Sequence, residues 1–263
     1  MSGGEQALVL SRGTVILEAW EQVRHAMDLI NDNDYLAQQR ALGMCQRALD
    51  LDPEYATAWS VKGLTYFQIA DERIRHHPDK SMVAELQSAE ECGNKALELD
   101  PACADAYSLL SICHLSNGEH DQALAMSKKS IDLAPGHAEN LAISAIVHNK
   151  SGQPARGLEL MKKAMRYCPF YPQWFLWGLG LAYRYTNQTD AAVSAFELAT
   201  SRGRGYISTH ISLASIYGEL NRLEVAKKPV SAILHHPPVA IWHRPRVTEN
   251  RLQVLESGAF PDE

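Results

Sequence analysis

Eleven histidines and five cysteines are the side chains in this chain with the widest chemical reach. Two ligands on one helix reach a common metal when they stand three or four residues apart. His76-His77 and His235-His236 are adjacent pairs, so on a helix their rings point about 100° apart and they read as solvated turns. Cys113 precedes His114 directly, and consecutive helical residues do not face each other, which argues against a thiolate–imidazole pair. The cysteines (Cys45, Cys92, Cys103, Cys113, Cys168) are odd in number and form no Cys-x-x-Cys pair. That pattern fits buried thiols in a reducing compartment better than a disulfide frame or a zinc site. Arg202-Gly-Arg204-Gly-Tyr206 offers two guanidinium groups to a phosphate, but weighs more as a solvated linker. No glycine-rich phosphate loop, no G-x-S-x-G and no H-E-x-x-H occurs. The expectation is a protein without enzymatic activity, metal or cofactor.

The bulk properties narrow the partners. Net charge is −6 with acids and bases interleaved, so the basic stripe of a nucleic-acid binder is missing. No apolar run approaches the ~20 residues needed to span a bilayer. The opening Met1-Ser-Gly-Gly-Glu-Gln lacks the basic flank and apolar core of a secretory signal. These features predict a cytoplasmic protein that binds neither nucleic acid nor membrane.

What must position any functional side chain is a repeated element. Pro101, Pro135 and Pro169 stand 34 residues apart, and Pro238 follows 69 residues later. The first three close similar phrases, Ala-Leu-Glu-Leu-Asp-Pro, Ser-Ile-Asp-Leu-Ala-Pro and Ala-Met-Arg-Tyr-Cys-Pro; Pro53 closes a fourth, Ala-Leu-Asp-Leu-Asp-Pro. A fixed period of this size means stacked helical units. Between the prolines apolar residues recur at helical spacing, and each period holds two helices. In 104–135 the first helix carries Ala106, Tyr107, Leu110 and Cys113 and breaks at Asn117-Gly118. The second starts near Asp121, carries Ala123, Met126 and Ile131, and stops before Pro135.

These units resemble the tetratricopeptide repeat, whose pattern runs W-x2-L-G-x2-Y, A-x3-F-x2-A, P. Trp59-Ser-Val-Lys62-Gly63-Leu-Thr-Tyr66, Leu176-Trp-Gly-Leu179-Gly180-Leu-Ala-Tyr183 and His210-Ile-Ser-Leu213-Ala214-Ser-Ile-Tyr217 carry the first half. Ala41…Cys45…Ala48, Ala89…Gly93…Ala96, Gly157…Met161…Ala164 and Ala192…Phe196…Ala199 carry the second. Gly63, Ser111, Ala145, Gly180 and Ala214 share one register, where small residues let helices approach closely. His114 and His148 take the motif's tyrosine position and are expected to be half-buried packing residues. The resemblance implies an all-α, right-handed superhelical solenoid of about six hairpins: 14–53, 54–101, 102–135, 136–169, 170–205 and 206–238. Residues 1–13 form a flexible start, and 239–263 hold a capping helix, placed at 246–257, and a tail. The first helix, 14–31, rests on periodicity alone (Ile16, Trp20, Val23, Met27, Ile30).

Three departures carry their own expectations. The second repeat is overlong across 71–84, which predicts a protruding hairpin turning at His77-Pro78-Asp79 with a charge-mixed tip. Ser-Arg-Gly-Arg-Gly at 201–205 replaces the joint proline and predicts a looser joint. Pro229 falls inside the last expected helix and predicts a kink or a shortening. Within the family, the long early repeat and the phrase Tyr171–Tyr183 look most like the arrays at the C-terminal ends of bacterial adenylate/guanylate cyclases and winged-helix regulators.

The resemblance also implies where a partner binds. Such arrays line a concave groove with the first helix of each hairpin. The family's groove positions fall on Thr57, Ser60, Leu64, Phe67 and Gln68; Asp105, Ser108, Ile112, Leu115 and Ser116; Glu139, Ala142, Ile146, Asn149 and Lys150; Trp174, Trp177, Leu181, Arg184 and Tyr185; and Ser208, Ile211, Ser215, Gly218 and Glu219. Repeat five is the richest, with two tryptophans, an arginine and a tyrosine of the kinds that dominate binding hot spots. The groove set therefore comprises Phe67, Asn149, Lys150, Trp174, Trp177, Leu181, Arg184 and Tyr185. The alternative is that Trp174 and Trp177 pack between repeats. The expected role is a scaffold binding a peptide or helix of another protein. A regulatory module of a signalling protein and a self-associating homo-oligomer are the two other readings.

Overall fold

The computed structural model describes residues 13–31, 35–76, 83–202 and 207–234. Among them are twelve α-helices and no strand. In chain order they are α1 (Leu17–Ile30), α2 (Tyr35–Leu51), α3 (Ala56–His76), α4 (Val83–Leu99), α5 (Ala104–Ser116), α6 (His120–Leu133), α7 (Ala138–Lys150), α8 (Pro154–Tyr167), α9 (Gln173–Tyr185), α10 (Thr189–Ser201), α11 (Ile207–Glu219) and α12 (Leu223–Leu234). Each odd-numbered helix packs chiefly on the even-numbered one after it, then on the next hairpin, as expected of units that cannot bury their apolar faces alone.

The turns inside the last four hairpins share one construction. Gly118, Gly152, Asn187 and Asn221 all adopt positive φ, between 53° and 80°. The next residue then donates its N–H five residues back: Glu119 to His114 at 2.9 Å, and Gln153 to His148, Gln188 to Tyr183 and Arg222 to Tyr217 at 2.8 Å. This is the Schellman closure, which satisfies a helix-end carbonyl at the expense of one left-handed residue. An L-residue with a Cβ pays roughly 1–2 kcal/mol there, and glycine nothing. Gly152→Ala should therefore lower unfolding free energy by about 1–2 kcal/mol, while Asn221→Gly should leave it unchanged or raise it, as read by urea denaturation.

At the joints between hairpins the motif aromatics have a fixed task. Trp59 Nε1 donates to the Pro53 carbonyl at 3.1 Å, and Tyr107 OH to the Pro101 carbonyl at 3.2 Å. Where small residues were expected to permit close approach, they do. A Cβ on Gly63 would stand 2.9 Å from Cys92 Cβ and 3.0 Å from the Ala89 carbonyl oxygen. A Cβ on Gly180 would meet the Phe196 ring, at 2.5 Å from Cδ1 and 2.7 Å from Cζ. Ser111 and Ala145, in the same register, are fully buried.

The first helix differs from its expected face. The periodicity singled out Ile16, Trp20, Val23, Met27 and Ile30, but the buried stripe is Ala19, Val23, Ala26 and Ile30. Alanines make the tight contact with α2, and Trp20 and Met27 lie only half-buried beside it; Ile16 precedes the helix as its N-cap residue. The second hairpin is long, with 21 residues in α3 and 17 in α4 against 13 and 14 in α5 and α6. Its turn at His77-Pro78-Asp79 lies outside the described residues, as do the glycines of the 201–205 joint, His235-His236 and the expected capping helix at 246–257. Pro229 does not break its helix: α12 runs 12 residues with the proline inside. The ring's missing N–H leaves the Val225 carbonyl without its helical donor.

Candidate functional site

The stack curves until its beginning meets its fifth hairpin. Trp174 Nε1, in the first turn of α9, donates to Asn31 Oδ1 at the end of α1 at 3.2 Å, across 143 residues of sequence. Glu139, in the first turn of α7, lies in the electrostatic field of Arg24 and Asp28 of α1. The odd-numbered helices thus face one another across an inner surface. Arg24, Asp28 and Asn31, spaced i, i+4 and i+7, form the stripe that α1 presents there.

The sequence-derived residues divide on this surface. Trp174 is half-buried and packs edge-on against Phe175, ring centroids 4.4 Å apart. Trp177, also half-buried, leans on the cluster of Leu181, Phe196, Leu213 and Ile216. Tyr185, one helix end further, is 46% exposed. Arg184 is held by Glu219 and by Ser215 Oγ, at 3.2 Å from the latter, so three groove positions of successive hairpins bind each other. Phe67 packs beside Leu64 and Leu115 against the buried Ile112 and Cys113. Lys150 is exposed at the end of α7.

Two of the set do not reach the groove as side chains. Leu181 is buried, 8% exposed. Asn149 is 3% exposed, and its amide lies against the hairpin partner helix: a Cβ on Gly157 would stand 2.7 Å from Asn149 Cγ. Neither amide atom of Asn149 has a hydrogen-bond partner. The floor beneath the groove is made of small buried residues, Ser60, Ser108 and Ala142, at one register of α3, α5 and α7.

The titratable groups behave as packing and surface groups. Burial pushes the Cys45 and Cys113 thiols up to about 12 and Cys92 to about 11, which keeps them protonated and unreactive. His114 Nδ1 lies 2.5 Å from Glu119 Oε2, a contact across the same hairpin turn. Arg202, one of the two loop arginines, stacks 4.8 Å over the Tyr171 ring and donates to its hydroxyl at 3.3 Å. Among the described residues no three His, Cys, Asp or Glu side chains are placed to hold a metal ion, and no helix is long and apolar enough to cross a membrane.

Desolvation lowers the pKa of His148 and of His210, opposed at His148 by its hydrogen bond with the Ser144 carbonyl and reinforced at His210 by Lys228. A lowered folded-state pKa means the unfolded chain binds protons first, so stability is complete above about pH 6.5 and falls as pH drops below it. Melting temperature should decline between about pH 6.5 and 5, and His148→Gln should flatten part of that decline in a pH series of thermal melts.

The comparisons agree with this architecture. Tetratricopeptide repeat models match residues 85–138 and 175–202. No curated protein matches the chain. The fold is similar to TTC0263, a thermophilic tetratricopeptide protein of Thermus thermophilus, at 17% identity and TM-score 0.56 over 75% of this chain and 98% of that one. It is also similar to human IFIT1, solved as a dimer with PPP-AAAA, at 17% identity and TM-score 0.64 over 86% of this chain. A third likeness is to the APC/C hetero-tetramer Cut9-Hcn1, at 15% identity and TM-score 0.62 over 97% of this chain. The chain spans about half the length of the last two, 53% and 52%. The protein is an all-α helical repeat protein. Residues 85–138 and 175–202 of it match tetratricopeptide repeats.

Proposed function

We propose that this chain is a non-enzymatic scaffold that seats an extended segment of a partner protein along its inner surface, anchored by the aromatic side chains of α9. The observation that carries this is the state of Trp174, Trp177 and Tyr185: the two tryptophans are half-buried against packed structure, and Tyr185 is exposed at the end of the same helix. Rigid, partly exposed aromatics lose little entropy on binding and dominate hot spots. The contact of Asn31 with Trp174 favours an extended segment, because a ligand helix about 10–12 Å across does not fit at that level. Arg184 shapes this region through Glu219, and Phe67, half-buried, and Lys150, exposed, are further groove positions along the same surface.

The test is a random 12-mer peptide display library panned on the immobilised full chain. Enriched peptides should lose at least tenfold in affinity, about 1.4 kcal/mol, on Trp177→Ala or Tyr185→Ala, with the helical circular dichroism unchanged. Peptides that bind both variants as well as the parent would end the proposal. The regulatory-module alternative draws only on the long second hairpin and the phrase at 171–183, and no contact within the described residues favours it.

A further inference from the structure

We propose that α1 is a strap across the groove, latched by the hydrogen bond between Asn31 and Trp174, which opens to admit the partner segment and closes again over it. This rests on the groove reading above and names how access to that surface is governed. Asn31 caps the C-terminus of α1 and Trp174 lies in the first turn of α9, so their 3.2 Å contact bridges the first and fifth hairpins at the level of the aromatic anchors. The Asn31 amide is prepared for this contact. Its Nδ2 donates to the Met27 carbonyl at 3.2 Å, which fixes the amide and leaves Oδ1 to accept from the indole N–H.

No apolar core backs this contact. α1 packs on α2 and α3, and its buried stripe of Ala19, Val23, Ala26 and Ile30 belongs to the cluster it forms with them. Trp174 packs on a different cluster, with Leu141, Leu160 and Phe175 among its members. The two clusters share no residue, and the hydrogen bond between them is open to solvent. Releasing it exposes little apolar surface. A hydrogen bond of this kind shifts an equilibrium only about two- to tenfold. The joints are compliant as well: each hairpin of a solenoid leans on its neighbours alone, so small rotations at successive joints add up across the gap between the first and the fifth. The closure is both weak and soft, as a gate requires.

Kinetics separate a strap from other roles for the same hydrogen bond. A segment that enters and leaves only through the open form has both rate constants scaled by the population of that form. Loss of the latch then speeds association and dissociation together and leaves affinity nearly unchanged. A contact in which Asn31 merely competes with the ligand for Trp174 behaves differently: its loss speeds association alone and tightens binding.

The experiment uses the full chain and display-selected peptides, with rate constants read by surface plasmon resonance. Asn31→Leu keeps the shape and loses the acceptor, and should raise both rate constants about two- to tenfold. Asn31→Asp keeps an acceptor for the indole and should leave them within about twofold of the parent's. Both variants lose the donation to the Met27 carbonyl, so the pair separates the latch from the helix end. Unchanged rates in the leucine variant, or a rise in association alone, overturns the proposal. A second readout needs no ligand. The indole N–H resonance that disappears in Trp174→Phe should exchange with water faster in Asn31→Leu than in the parent, and equal exchange also overturns the latch. Should no enriched peptide depend on Trp177 or Tyr185, the groove reading falls and the strap loses its partner with it. Peptides that depend on both, yet bind at rates indifferent to Asn31, sink the strap alone.

Discussion

Phe196→Ala should cost about 3–5 kcal/mol of stability, and the loss should be confined to one end of the molecule. The Phe196 ring is fully buried among Leu181, Val193, Leu213, Ile216 and Tyr217, which come from α9, α10 and α11. It also fills the space that Gly180 leaves open by having no Cβ. Removing it takes the transfer free energy of the ring and leaves a cavity between two hairpins that rigid neighbours cannot close. In a linear array each unit leans only on its neighbours, so damage at one interface does not spread evenly. Hydrogen exchange should show protection lost across α9–α12 and retained in α3–α7. Uniform loss along the chain would mean that the array folds as one cooperative block. The reciprocal change, Gly180→Ala, drives a methyl into the ring, a cost that the better helix propensity of alanine, about 1 kcal/mol, offsets only in part. Phe196→Leu should relieve it, which separates a steric clash from a general intolerance at position 180.

The architecture was readable because its determinants are local and periodic. Prolines at 53, 101, 135 and 169 stop helices through their own covalent geometry, and the small residues at 63, 145 and 180 recur in one register. The hairpin turns repeat just as regularly, but their signal is split between two residue types. Glycine at 118 and 152 and asparagine at 187 and 221 take the same left-handed conformation, and only the first was conspicuous as a helix breaker. What stayed hidden depends on curvature. Nothing local says that Asn31 will touch Trp174, or that Arg24 and Asp28 will face Glu139, because both follow from small rotations accumulated over several hairpins. The pairing of Arg184 with Glu219 joins two positions that each looked available to a ligand. Groove positions carried over from the family fix a residue's place along its helix but not the direction of its side chain. Asn149 shows the difference.

Asn149→Leu should stabilise the protein by about 2 kcal/mol, although the residue occupies a groove position. Its amide is buried against Gly157, and both its oxygen and its nitrogen lack partners. Each such group gave up hydration on folding and regained nothing, a cost of roughly 1–3 kcal/mol apiece. Leucine matches asparagine closely in shape, so the substitution removes that cost without opening a cavity, and it adds buried apolar area beside Gly157. Asparagine→alanine at the same site is the control, because it removes the amide but leaves a void, and it should gain less. Chemical denaturation of the full chain with both variants decides the point. A loss of stability in the leucine variant with a gain in the alanine variant would mean that the leucine methyls press on the Gly157 backbone, and a loss in both would mean that the amide is hydrogen-bonded after all. A gain in stability with peptide binding unchanged places the specificity of this surface where the exposed atoms are, on Trp174, Trp177 and Tyr185.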